Sequence, residues 1–191
     1  MANVDGIVLA AGKSRRIGLG KSKMTLPFAG KTIIQCAIDG MYPVCDRIIV
    51  VGGFDIEKIE KILADFKKVE IVLNGNYESG MFTSVKTGAK YIKSSRFFLL
   101  PGDYPLVSPT VYKKMLEMDS DIVIPTYHGR NGHPVLMNSK LIPELLAEPD
   151  DSNLKIFINK KGYDTIEIDE IGIISDIDTM DDYRRLKQIA R

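Results

Sequence analysis

Short apolar runs alternate with segments whose apolar residues recur every three to four positions, almost from one end of the chain to the other. Gly6–Ala10 is short and β-branched, which predicts a buried strand. Ile33, Ile34, Ala37, Ile38 and Met41 fall on one face of a helix predicted over Lys31–Met41. Asp46–Val51 predicts the second strand, and Ile56, Ile59, Ile62, Leu63 and Phe66 mark the helix after it. Val69–Leu73 is the third strand, followed by a helix over Met81–Ile92 with Met81, Val85, Ala89 and Ile92 aligned. Arg96–Leu100 is the fourth strand. Ser108 and Pro109 then open a helix as N-cap and first helical residue, ahead of a fifth strand at Asp121–Pro125.

Past Pro125 the rhythm changes. Gly129–Gly132 has a turn composition, and Pro134–Met137 predicts a strand running antiparallel to the rest. Ser139–Ala147 and Ser152–Asn159 predict short helices, and Thr165–Asp169 alternates with period two like a half-exposed strand. Met180, Tyr183, Leu186 and Ile189 mark a closing helix. No repeat or long linker interrupts the pattern, so residues 1–191 are expected to form one domain. The alternation predicts an α/β class: a three-layer α/β/α sandwich on a mostly parallel sheet with one antiparallel strand. In such sheets ligands bind beyond the carboxyl ends of the strands, which directs attention to the loops after Ala10, Leu73 and Leu100.

The loop after Ala10 is small-residue-rich and basic. Leu9, Ala10, Ala11 and Gly12 let backbone approach a ligand closely, and Lys13, Arg15, Arg16, Lys21 and Lys23 surround it with positive charge. A triphosphate is the natural match. Two familiar phosphate loops are excluded. A Walker A loop needs glycine where Arg15 stands, and a dinucleotide fingerprint needs glycine where Lys23 stands.

Other segments carry candidate chemistry. Asp103 follows the fourth strand directly, where a carboxylate can hold a hard cation against phosphates, although Pro101–Asp103 is also a turn composition. Ser79–Gly88 starts a helix with small and hydroxylated residues, including Gly80 and Ser84, and a helix N-terminus attracts anions. Asn74 contributes either to base recognition or to a turn. His133 stands in a tight turn, and His128 reads as surface. Asp176, Asp178, Asp181 and Asp182 cluster at the start of the last helix, where acids are favourable in any case.

The stretch from Leu9 to Gly18, followed by Lys23 and by Leu26–Pro27, resembles the signature of nucleotidyltransferases with a Rossmann-like fold. Its form is similar to the MobA-like branch, and within that to the molybdenum cofactor cytidylyltransferases. The Asp103 stretch, Gly80–Ser84, Gly132–Pro134 and Asp176–Thr179 resemble further motifs of the same family, in the same order. The resemblance implies that Arg16 and Lys23 contact a triphosphate and that the Ala10–Gly12 backbone faces the nucleotide. It implies that Asp103, with Asp178 as a second carboxylate, holds Mg2+, that Gly80 and Ser84 help form the nucleotide pocket, and that His133 lies on the acceptor side. One departure is the long spacer between Arg16 and Lys23, which leaves Lys21 as a rival for the phosphate-contacting role. The implied donor is CTP, with GTP and ATP as alternatives. The implied acceptor is molybdopterin or its metal-loaded form, and the product would go to a molybdoenzyme or its maturation factor. A sugar-phosphate or alcohol-phosphate acceptor, or a non-catalytic nucleotide-binding module, are the competing readings.

Composition adds limits. The 26 basic residues nearly balance 25 acidic ones, so no global field favours nucleic acid or an acidic membrane. Cys36 and Cys45 lack metal-ligand spacing and fit thiols in a reducing cytoplasm. No run approaches the roughly 18 apolar residues of a membrane span, and Met1–Asp5 lacks the pattern of a signal peptide, so a cytoplasmic location is expected.

Overall fold

The computed structural model describes residues 3–14, 17, 22–149 and 151–190. The first strand, β1 (Val4–Ala10), leads to a short hairpin of β2 (Pro27–Phe28) and β3 (Lys31–Thr32), then to α1 (Ile33–Met41). Then come β4 (Arg47–Gly52), α2 (Ile56–Leu63), β5 (Val69–Leu73), α3 (Met81–Ala89), β6 (Arg96–Pro101), α4 (Pro109–Leu116) and β7 (Ile122–Tyr127). The chain closes with β8 (Arg130–Asn131), β9 (Val135–Asn138), α5 (Ile142–Ala147), α6 (Leu154–Lys161), β10 (Asp164–Glu167) and α7 (Met180–Ile189).

The main sheet has the order β10-β7-β9-β6-β1-β4-β5. β1 pairs in parallel with β4 and β6, β4 with β5, and β7 with β10. β9 runs antiparallel between β6 and β7, as the pattern predicted for Pro134–Met137. The two-residue β8 adds a second antiparallel pairing on β7, a hairpin too short to leave a periodic trace. The predicted helix at Lys31 begins instead at Ile33. Ala29 and Gly30 turn the chain with positive φ, and Lys31 and Thr32 are drawn into the hairpin. Gln35 Oε1 then accepts from the Thr32 backbone N–H at 2.9 Å, which starts the helix there.

Alternation along the strands builds the three layers. Val8, Val50, Phe98 and Leu100 face one side of the sheet and meet α1, α2, α4 and α7 through Ile38, Ile59, Tyr112 and Leu186. Ile7, Ile49, Val51, Phe97 and Leu99 face the other side and meet α3, α5 and α6 through Val85, Leu145 and Phe157. Neighbouring Phe97 and Phe98 are both fully buried, on opposite faces. Each contributes roughly 1.5–3 kcal/mol by leaving water. Phe98 also meets Tyr112 edge to face, ring centroids 4.9 Å apart.

Close approach of backbones decides one further position. A Cβ on Gly132 would sit 2.5 Å from the Ile173 carbonyl oxygen, in a segment where the next residue, His133, donates its N–H to that same oxygen at 2.8 Å. Gly132→Ala is therefore expected to destabilise the protein by about 1–3 kcal/mol in urea unfolding, through overpacking.

Candidate active site

The site is assembled at the carboxyl ends of β1 and β6. Gly102 N–H donates to the Leu9 carbonyl at 2.9 Å, which lays the loop after β6 beside the loop after β1. Phe54 N–H donates to the Ala11 carbonyl at 3.2 Å and ties in the end of β4. Ser14 adopts a left-handed conformation (φ 52°), and its hydroxyl oxygen accepts from the Lys23 N–H at 2.9 Å. That bond ties Lys23 to Ser14, and Lys23 stands beside the strand ends. Ser22 N–H donates to Asp55 Oδ2 at 3.0 Å, and Lys58 Nζ donates to the same oxygen. The Ser22 bond, aided by Lys58, holds the Asp55 carboxyl below the usual carboxylate range.

Lys23 is the centre of the arrangement. Its ammonium donates to Asp103 Oδ2 at 2.7 Å, to the Ile177 carbonyl at 2.7 Å and to Asp178 Oδ1 at 2.9 Å. An ammonium has three donors, and all three are used. Burial alone would lower its pKa, but the two carboxylates outweigh that and hold it above the ordinary lysine value. Ile177 N–H donates to the Asp103 carbonyl at 3.0 Å, so the segment carrying Asp178 is also hydrogen-bonded to Asp103 through backbone.

Two cavities meet at this cluster. The first, about 380 Å³, is lined by Leu9, Ala11, Gly12 and Ser14 on one wall and by Tyr77, Met81 and Ser84 on another. The second, about 630 Å³, has an apolar floor including Phe82, Leu99 and Ile124, and a rim including Asn131, Asn159 and Tyr163. Met81, Pro101, Asp103 and Asp178 belong to both. His133 lines the second cavity, its ring edge-on to Tyr104 with centroids 4.8 Å apart. Burial pushes its pKa down to about 4, so the imidazole is neutral at pH 7. Asp176 also faces this cavity, and burial together with Asp103 and Asp178 raises its pKa.

Most of the expected residues converge here: Leu9, Ala11, Gly12, Ser84, Lys23, Asp103, Asp178 and His133 all line one cavity or the other. Arg15, Arg16 and Lys21 lie outside the described residues. Ala10 is fully buried behind the cleft. Gly80 takes φ 115° and accepts the Thr83 hydroxyl on its carbonyl, next to the cleft wall rather than in it. Asn74 is hydrogen-bonded within the protein. It is buried, its amide donates to Thr83 Oγ1 and Ser84 Oγ at 2.8 and 2.9 Å, and its Oδ1 accepts from Asn76 N–H at 2.9 Å. It braces the start of α3. Asp55 and Tyr77 went unremarked in the sequence. Asp55 follows the carboxyl end of β4, a position the strand-end rule covers as well as it covers Asp103.

The donor set suits a hard divalent cation. Asp103 Oδ1 is buried with no hydrogen-bond partner among the described residues, so the carboxylate has unused acceptor capacity. Among the described residues Lys23 pairs with two carboxylates, an oxygen-rich setting of the kind that hard cations favour. No group of three or more His, Cys, Asp or Glu side chains gathers for a metal among the described residues, but magnesium takes only one or two carboxylates beside phosphates and waters.

A Rossmann-like sandwich with this cluster at the seam of two strand-end cavities has the architecture of a nucleotidyltransferase. Residues 6–165 match the family described as the MobA-like NTP transferase domain, and the chain belongs to that family. It is similar to a molybdenum cofactor cytidylyltransferase of Escherichia coli (strain K12), 30% identical over 189 residues, covering 98% of this chain and 97% of that one. It is 26% identical over 202 residues to nicotine blue oxidoreductase of Paenarthrobacter nicotinovorans, covering 96% of each chain. A solved nucleotidyl transferase from Methanothermobacter thermautotrophicus shares the fold, with a TM-score of 0.85 at 22% identity over 98% of this chain and 97% of that one.

Two outcomes follow from the geometry. Asn74→Ala is expected to cost about 1–3 kcal/mol in urea unfolding, by stranding buried partners, while leaving the order of preference among nucleotides in a binding assay unchanged. His133 has a folded pKa of about 4 against an ordinary value of 6.5, so its contribution to stability is complete above pH 6.5 and is lost as pH falls towards 4. The stability of His133→Gln should therefore decline less steeply than that of the parent between pH 6.5 and pH 4, measured by urea midpoints.

Proposed function

We propose that the protein, acting as one domain over residues 1–191, transfers CMP from CTP to the phosphate of molybdopterin or its metal-loaded form and releases pyrophosphate. The observation that carries this reading is the Lys23–Asp103–Asp178 cluster, whose two carboxylates stand on the wall shared by two cavities while Lys23 lines the smaller one. A donor in the smaller cavity and an acceptor in the larger would meet there. The name of the Escherichia coli relative supports both the cytidylyl donor and the molybdenum cofactor acceptor. The apolar floor of the larger cavity, rimmed by the amides of Asn131 and Asn159, also suits a flat heterocycle better than a sugar, whose hydroxyls need partners on every side.

The reaction is an in-line displacement at the α-phosphorus. An oxygen of the acceptor phosphate forms the new P–O bond, and the bond to pyrophosphate breaks. The nucleophile is already anionic, so no general base is needed. Ala11 and Gly12 offer a wall without bulk along which the triphosphate would lie, and Lys23 offsets its charge; the family resemblance gives Arg16, outside the described residues, the same task. Asp103 and Asp178 would hold Mg2+, which supplies neutralisation of charge on the phosphoryl oxygens. Neutral His133 orients the acceptor by hydrogen bonding, without adding charge. The residues therefore act mainly by positioning and by electrostatic stabilisation.

The setting is cytoplasmic on this reading, with a molybdoenzyme or its maturation factor receiving the product. Among the described residues no helix is long and apolar enough to cross a membrane, and Cys36 and Cys45 are free thiols. A full-length relative bears the name of an oxidoreductase, so pyrophosphate is the informative product: a redox reaction releases none. The test is pyrophosphate release with Mg2+ and CTP, GTP or ATP, with molybdopterin, with a sugar phosphate, and with neither. CTP with molybdopterin should give the highest turnover. Lys23→Ala and Asp103→Ala should each lower it by a factor of roughly 100–1,000 while the circular dichroism spectrum stays that of a folded protein. Near-normal turnover in either variant overturns the assignment, and preference for a sugar phosphate replaces the acceptor.

A further inference from the structure

The three oxygens around the Lys23 ammonium are of the kind that bind hard cations: two carboxylates and a backbone carbonyl. We propose that Lys23 is an internal stand-in for the divalent ion: in the nucleotide-free protein it occupies the cation position, and it must leave before a metal can engage Asp103 and Asp178. This rests on the nucleotidyltransferase reading of the site and adds an order of events to it.

Three features carry the argument. The ammonium is bonded to both carboxylates at once, through Asp103 Oδ2 and Asp178 Oδ1, and is almost wholly buried between them. The other oxygen of Asp103, Oδ1, is buried without a hydrogen-bond partner among the described residues, so the spare capacity of this carboxylate lies directly beside the position where the ammonium already stands. Magnesium–oxygen contacts are about 2.0–2.1 Å, shorter than the 2.7 and 2.9 Å seen here, so a metal on these oxygens would crowd and repel the ammonium. Lysine and metal are therefore alternatives at this position.

The exchange needs somewhere for the lysine to go. Lys23 lines the smaller cavity, where the triphosphate would lie, and a flexible four-carbon stem lets its charge move to phosphate oxygens. The nucleotide draws the ammonium away and the metal takes its place, so metal and nucleotide bind with positive coupling that is equal in both directions. The free protein is at the same time shielded from stray divalent ions.

The test uses Mn2+ alone as probe, an oxygen-ligated ion whose free concentration is read by electron paramagnetic resonance. Without nucleotide, Lys23→Met should bind one Mn2+ at least tenfold more tightly than the parent. Lys23→Arg, which keeps the charge, should stay as weak as the parent. Lys23→Gln serves in place of the methionine variant if that one does not fold. Adding Asp103→Asn to Lys23→Met should remove the gain. A non-hydrolysable CTP analogue should raise Mn2+ affinity by a larger factor in the parent than in Lys23→Met. Equal Mn2+ affinity of the parent and the uncharged variants without nucleotide overturns the proposal. If that happens while the parent still releases pyrophosphate from CTP, the exchange is wrong and the transferase reading stands. If Lys23→Met gains Mn2+ affinity but no triphosphate yields pyrophosphate, the exchange stands and the transferase reading falls.

Discussion

A lysine ammonium with 8% of its residue surface exposed, held by three oxygens from two distant segments, organises the functional end of this molecule. Taking such a charge out of water is expensive, and so is burying Asp103 beside it. The arrangement persists because each cost is met by the other charge and by backbone groups already fixed in place. Lys23 is fixed by the Ser14 hydroxyl and by the Ser22–Asp55 bond, and Ile177 by the Asp103 carbonyl. Removing one partner would leave the rest uncompensated, so the cluster behaves as a unit.

The sheet makes this cluster possible. β1 and β6 are adjacent and parallel, so their carboxyl ends open at one edge and bring the Ala11–Ser14 loop next to Asp103. The insertion of β9 beside β6 then brings Gly132 and His133 towards the same edge, where Gly132 packs against the Ile173 carbonyl without a side chain between them. Two cavities with a common wall result, one suited to phosphates and the other with an apolar floor. Transfer between two ligands needs such a seam, because the reacting groups must meet while the rest of each ligand stays apart.

The fold by itself does not choose the chemistry. Relatives of nearly equal length carry the names of a cytidylyltransferase and of an oxidoreductase. What distinguishes activities on such a scaffold is the set of groups at the strand ends. Here that set combines a lysine cation with two carboxylates, a composition matched to polyphosphate and metal. The larger cavity, with its neutral histidine and amide rim, is where acceptor selectivity would reside.

Most of the order of strands and helices and the layers they form were legible in the chain, and Lys23 and Asp103 stood out there by charge and by strand-end position. Apolar periodicity and strand-end position are local properties, readable over a few residues. The edges of elements were less so, because the hairpin at Lys31–Thr32 depends on pairing and not on pattern. Asn74 illustrates the limit: its bonds to Thr83 and Ser84, which brace the start of α3, follow from no local pattern. Asp55 and Tyr77 have ordinary surroundings in sequence and acquire meaning from what lies across the cleft. Lys23 lies 80 residues from Asp103 and 155 from Asp178, and only the sheet order joins them. That the lysine rests on those carboxylates was a decision of tertiary structure, since burial and charge pairing act through space and leave no local trace in the chain.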